Sequence, residues 1–213
     1  MLPKLLIWDW NGTILDDLDL CLAIENELLS ERGMKPITRA WYLDHFSFPI
    51  EPYYREMGYT FEKETYADVS RVFMERYNAQ FARCPLRAGV QDVLIKAHTQ
   101  GVMQTLLSVT EQNELVRQVK RLGLMGLFGE LIGQDDALGF SKIERAKDYM
   151  RRIGIAPEDA LFIGDTDHDA EAARAVGCPC VLISGGHQSK AVLSRCGVPV
   201  FDSAEAMWEA LNA

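Results

Sequence analysis

The sequence predicts an α/β fold, a parallel sheet wrapped by helices, with one helical insert. Three observations carry that prediction. Short apolar runs alternate with longer amphipathic segments, the pattern of βαβ units around a parallel sheet. Each apolar run stops on a Gly, Ser or Asp, which puts polar residues where such sheets gather their ligands. Between about residues 18 and 87 the alternation gives way to helical spacing, so the insert follows the first strand.

Taken in chain order, Leu5–Asp9 is the first predicted strand, and Gly12-Thr13 turns the chain after it. Leu18–Glu31 has apolar residues at helical spacing and stops before Gly33. Thr38–His45 and Glu62–Phe81 also read as helices, with an aromatic loop, FSFPIEPYY, between them. The core rhythm then resumes. Predicted helices Gln91–Gln100, Asn113–Leu122, Lys142–Ile153, Asp169–Val176 and Ser203–Leu211 separate strands at Val102–Ser108, Glu130–Gly133, Ala160–Gly164 and Cys180–Ser184. Gly185 and Gly186 mark a tight turn near the sheet's edge. This divides the chain into a core of residues 1–17 and 88–213 and a helical unit of residues 18–87. If it stands over the carboxyl ends of the strands, the helical unit acts as a lid.

At 213 residues the chain is long enough to bury about 70% of its extended surface. Its 48% hydrophobic and 25% charged residues are those of an ordinary globular protein. The net charge of −9 argues against nucleic acid as a partner, because non-specific binding rests on Lys and Arg neutralising phosphates. The cysteines Cys21, Cys84, Cys178, Cys180 and Cys196 are odd in number and scattered, which suits reduced thiols. No stretch reaches the roughly 20 apolar residues that span a bilayer. Asp9 also interrupts the first apolar run too early for a signal peptide, so the expected location is the cytoplasm.

The second acidic cluster, LFIGDTDHDAEAA, places Asp165, Asp167 and Asp169 within five residues after an apolar run. Bringing two carboxylates within about 4 Å costs roughly 4 kcal/mol at an effective dielectric of 20. A hard cation such as Mg2+ would remove that cost. The same residues also fit a helix cap, since Thr166 and Asp169 have capping-box spacing. Asp9, at another strand end, tips the balance toward a metal. In GFSKIERAKDYM, Ser141 and Glu144 form a capping box that sets Lys142 at the first position of a helix. There it either strengthens an anion site or is simply solvated. In QTLLSVTEQNEL, Ser108 closes an apolar run, as a phosphate contact or as a plain cap.

Together these pieces resemble the haloacid dehalogenase (HAD) superfamily over almost the whole chain. The family's D-x-D-G-T motif is matched by Asp9-Trp10-Asn11-Gly12-Thr13, its strand-closing Ser/Thr by Ser108, its helix-opening Lys by Lys142, and its G-D-x-x-x-D by Gly164 through Asp169. The resemblance implies a Rossmann-like core and the α-helical cap of the phosphoglycolate-phosphatase-like branch. It implies that Asp9 is a nucleophile taking the phosphoryl group of a small phosphorylated metabolite. Mg2+ would be held by Asp9, the main-chain carbonyl of Asn11, Asp165 and Asp169. Ser108 and Lys142 would orient and neutralise the transferring group, with Gly12, Thr13 and Val109 helping to bind phosphate.

Asn11 departs from the pattern. The family places a second Asp there, which protonates the leaving alcohol and then activates water. An amide does neither, and positioned acid–base catalysis is typically worth about 10²–10⁴-fold. Three readings follow: a phosphatase with a weakened acid–base step, C–P or C–halogen hydrolysis on the same core, or a non-catalytic phosphate-binding protein. The cap loop Phe46–Tyr54 has no lysine for the Schiff base of C–P cleavage, and the nearest cap lysines are Lys35 and Lys63. Arg55 and Phe48 are the expected readers of the leaving group, Arg55 because a guanidinium fork suits a carboxylate or second phosphate.

Overall fold

Strand β1 (Leu5–Trp8) runs through the middle of a six-stranded parallel sheet in the computed structural model, which describes residues 2–134 and 142–213. Leu6 and Trp8 enter the core on one face of the sheet, Leu5 and Ile7 the core on the other. Burial on both faces explains why β1 reads as a continuous apolar run instead of an alternating one.

The chain leaves β1 into α1 (Leu18–Glu31), α2 (Arg39–His45), α3 (Ile50–Glu56) and α4 (Tyr66–Gln80), which share their own apolar core. It returns through α5 (Val90–Thr99) to β2 (Met103–Glu111), then α6 (Gln112–Arg121) and β3 (Glu130–Gln134). Helix α7 (Lys142–Ile153), β4 (Ala160–Gly164), α8 (Asp167–Val176) and β5 (Cys180–Ile183) follow. The short α9 (Lys190–Leu193), β6 (Val200–Phe201) and α10 (Ala204–Asn212) end the chain. The strand order is β3-β2-β1-β4-β5-β6, with Leu5 paired to Met103 on one side and to Ala160 on the other. The order therefore reverses between β1 and β4, and a sheet of this kind opens its ligand crevice at that point, beyond the carboxyl ends.

The insert departs from expectation in two places. The segment FSFPIEPYY is not all loop, because Pro49 is the N-cap of α3 and Pro52 falls in its first turn. A first-turn proline gives up an N–H that has no helical partner anyway. Helix α4 starts at Tyr66, four residues later than the apolar spacing suggests, because Thr65 and Asp68 close a capping box. In the core, β2 runs past Ser108 to Glu111, whose carboxylate accepts from the N–H groups of Asn113 and Glu114 and so opens α6. Strand β6 and helix α9 are too short to leave a periodic signal. The capping role read for Ser141 lies outside the described residues. No helix among the described residues is long and apolar enough to cross a membrane, and the five cysteines are free thiols.

Candidate active site

Asp9 owes its direction to the tryptophans on either side of it. Side chains alternate along a strand, and Trp8 and Trp10 both enter the same apolar core. Each indole N–H is satisfied there, Trp8 on Gln104 at 3.1 Å and Trp10 on Gln118 at 2.7 Å. The main-chain N–H of Asp9 still donates to Ile163 on β4 at 2.8 Å, so its carboxylate stands at the crevice.

The neighbouring strand brings the second carboxylate pair. Asp165 follows β4 directly and accepts from Thr13 Oγ1 at 2.7 Å and from the His187 N–H at 2.6 Å. Gly12, at φ +71°, makes this approach possible: a Cβ there would lie 2.2 Å from Asp165 Oδ2. Asp169 both caps a helix and faces the crevice. Its Oδ2 caps α8 by accepting from the N–H of Thr166 at 3.0 Å, while its Oδ1 faces Lys142 Nζ at 2.5 Å. Lys142 also donates to Asp9 Oδ1. Carboxylate oxygens of Asp9, Asp165 and Asp169 all lie within 4.8 Å of one another.

This grouping is electrostatically tense. Burial pushes the Asp9 carboxyl up to about 8 against the pull of the Lys142 ammonium, and Asp169 and Asp165 push the same way as burial. Burial also raises Asp165. Burial would lift Asp169 too, but Lys142 outweighs it and holds that carboxyl low. Lys142 is held charged by Asp169 and Asp9 despite its burial. Asp9 and Asp169 share the Lys142 ammonium, and the oxygen-only donor set of the three buried carboxylates is the kind a hard divalent cation takes.

A cavity of about 180 Å³ rises from Asp9 toward the helical insert. On the sheet side Asn11, Val109, Thr110, Lys142 and His168 line it; on the insert side Phe48 is among the lining aromatics. Of the expected phosphate and substrate contacts, Gly12, Thr13, Ser108 and Arg55 are not among the residues lining this cavity. Ser108 is fully buried and its hydroxyl accepts from the Thr110 N–H at 3.1 Å. The Gly12 N–H donates to Asp17 at 2.9 Å, and the Thr13 hydroxyl donates to Asp165. Arg55 does not line the cavity; it pairs with Glu51 at 2.7 Å and stacks over Phe61.

Asn11 is locked. Its Nδ2 donates to Asp17 at 2.7 Å and to Tyr77 at 2.8 Å, and its Oδ1 accepts from Thr110 at 2.7 Å. Behind it, buried Asp17 pairs with His187 at 3.2 Å, and the other ring nitrogen of His187 is 2.8 Å from the Tyr42 hydroxyl. Burial alone would favour neutral His187, yet Asp17 raises it to about 9. Little in the sequence signals this network, for Asp17 and His187 are 170 positions apart. The one local hint was a second acid pair, Asp16-Asp17, close behind the first motif.

The chain is similar to known proteins in sequence and in fold. The family model for haloacid dehalogenase-like hydrolases matches residues 6–183. A phosphoglycolate phosphatase of Pseudomonas fluorescens is 30% identical over 198 residues, covering 87% of this chain and 71% of the relative. One from Synechococcus elongatus is 25% identical over 189 residues, covering 87% and 85%. A haloacid dehalogenase-like hydrolase from Streptococcus pneumoniae superposes with a TM-score of 0.81 at 18% identity, over 99% of this chain and 97% of that one. Protein tyrosine kinase A of Mycobacterium tuberculosis does so at 0.82 and 20%, over 100% and 99%. At such identities the superpositions speak for the fold alone.

Proposed function

The chain belongs to the haloacid dehalogenase-like hydrolase family, and from that premise we propose that it is a Mg2+-dependent phosphatase of small phosphorylated metabolites. The convergence of Asp9, Asp165 and Asp169, with Lys142 bound to the first and the last, carries the reading. The relatives named phosphoglycolate phosphatase support it.

In this mechanism a carboxylate oxygen of Asp9 attacks phosphorus. The new O–P bond forms as the ester O–P bond breaks, and the electron pair leaves with the ester oxygen. The product is an aspartyl-phosphate and an oxyanion that takes its proton from solvent, because Asn11 has no acidic proton to give. Water then attacks phosphorus, Asp9 regains its carboxylate, and both water protons leave with the phosphate. Lys142 pulls Asp9 toward its ionised form against burial and faces the charge that spreads over the phosphoryl oxygens. Val109 and Thr110 wall the phosphoryl end of the cavity. Mg2+ would be held by Asp9, Asp165, Asp169 and the main-chain carbonyl of Asn11, and would supply Lewis-acid neutralisation of the phosphoryl oxygens.

Residues 18–87 act as a cap on a core of residues 1–17 and 88–213. The two connections run side by side: Asp16 N–H donates to Pro85 and Arg87 N–H to Ile14, each at 2.9 Å. The cap reaches the core through the Ser189 N–H to Leu43 at 2.8 Å and through stacking of Phe48 on His168. C–P cleavage through a cap lysine finds no support, since Lys35 and Lys63 are exposed and do not line the cavity. The test is phosphate release from a panel of phosphate monoesters with and without Mg2+. The wild type is expected to require the metal and Asp9→Asn to release nothing; release without metal, or by Asp9→Asn, overturns the mechanism.

A further inference from the structure

Resting on the phosphatase reading, we propose that the substrate is an aryl phosphate, a monoester whose leaving group is a phenolate on an apolar ring. Three independent features of the cavity point there.

The first is its wall. The insert lines it with Phe46, Phe48, Tyr54, Tyr66, Phe73 and Met74. At about 180 Å³ it exceeds the roughly 150 Å³ of an engineered apolar cavity that accepts benzene. One aromatic ring fits, held by faces and edges of other rings.

The second is charge. A glycolate leaving group carries a carboxylate and needs a cation. No arginine lines the cavity among the described residues. Lys142 is bound by Asp9 and Asp169, and His187 is paired with Asp17. The insert side also presents the buried carboxyl of Glu25, which already accepts from Tyr53 at 2.8 Å. A second negative charge on the leaving group would meet carboxyls and aromatic faces.

The third is Asn11. Three hydrogen bonds fix its amide beside Asp9, so no proton donor stands at that position. An alkoxide leaves badly without a proton. A phenol has a pKa near 10 against about 15.7 for water, so its anion departs as it is and collects a proton in solvent. A ring-binding cavity and an absent acid each select the same ester class.

The experiment uses the full chain with Mg2+. kcat/KM is measured for phenyl and 2-naphthyl phosphate, for 2-phosphoglycolate and glycerol phosphate, and for ring-substituted phenyl phosphates spanning a range of phenol pKa. Phenyl phosphate is expected to exceed 2-phosphoglycolate by at least about tenfold, and rates should climb as the phenol becomes more acidic. Met74→Trp, which fills the cavity, should lower the naphthyl-to-glycerol phosphate ratio. That ratio is taken within one variant, so any loss of folded protein cancels. Phosphate release with 2-phosphoglycolate equal or preferred overturns this inference and leaves the phosphatase reading standing. Release from none of the esters overturns both.

Discussion

Asn11→Asp restores the acid that the family motif carries, and the structure says what that would do. The Nδ2 of Asn11 donates to Asp17 Oδ2 at 2.7 Å. A carboxylate at position 11 would turn that hydrogen bond into a like-charge contact. At about 4 Å and an effective dielectric of 20 the repulsion is roughly 4 kcal/mol, or about 3 pK units. One proton would then be shared, and the two acids would titrate as a pair. An acid raised in the folded state contributes stability that is present below its unfolded pKa, near 3.9, and lost as pH rises through the folded value near 7. Thermal unfolding at pH 5 and pH 8.5 reads this directly. The variant should lose roughly 2–4 kcal/mol more than wild type at the higher pH, equivalent to about 10 °C for a chain this long. Exchanging the pair, Asn11→Asp with Asp17→Asn, keeps one charge and one amide and should recover part of the loss, the remainder going with the Asp17–His187 pair that it removes. The exchange variant should also gain turnover on alkyl esters, by up to about 10²–10⁴-fold. Equal losses at both pH values, or an exchange variant no more stable than the single one, would refute the reasoning.

Other consequences follow from the same geometry. Lys142→Met leaves Asp9 and Asp169 buried without their ammonium; it should cost about 3–5 kcal/mol in EDTA, and added Mg2+ should raise its melting temperature more than that of wild type. Its phosphate release should fall by at least about 10²–10³-fold. Glu25 is raised to about 8 by burial, so its contribution to stability is complete below pH 4.5 and drains away as pH rises through 8, at up to about 1.4 kcal/mol per unit. Glu25→Gln keeps an acceptor for Tyr53 and should therefore flatten the melting temperature across that range. Gly164→Ala puts a Cβ 2.1 Å from Asp169 Cγ; displacing that side chain should cost about 1–3 kcal/mol and weaken Mg2+ affinity measured by calorimetry.

The core was legible because β1, β4 and β5 are buried on both faces and so announce themselves as unbroken apolar runs ending on Asp9, Asp165 and Ser184. Their carboxyl ends share one crevice, so strand assignment was enough to bring the acids together. Helix α3 was hidden by Pro49 and Pro52, which signal a loop unless the start of the helix is already known. The end of the apolar run at Ser108 coincides with a shift in the pairing of β2 with β3 between Leu107 and Glu111, an irregularity that the sequence does not signal. Arg55 had a sound chemical reason to read a substrate, but Glu51 stands one turn away on the same helix and takes its charge. The Asp17–His187 pair joins two ordinary side chains through the fold alone, and no local pattern forecasts such a contact.

The proposed chemistry turns on a covalent bond at one residue. A 32P-labelled phenyl phosphate, quenched in acid during the first turnover with Mg2+ present, should leave acid-stable, hydroxylamine-labile label on the peptide that carries residue 9. Asp9→Asn should carry none. Product formed with no labelled peptide, or with the label on a different residue, would contradict the assignment of Asp9 as the nucleophile.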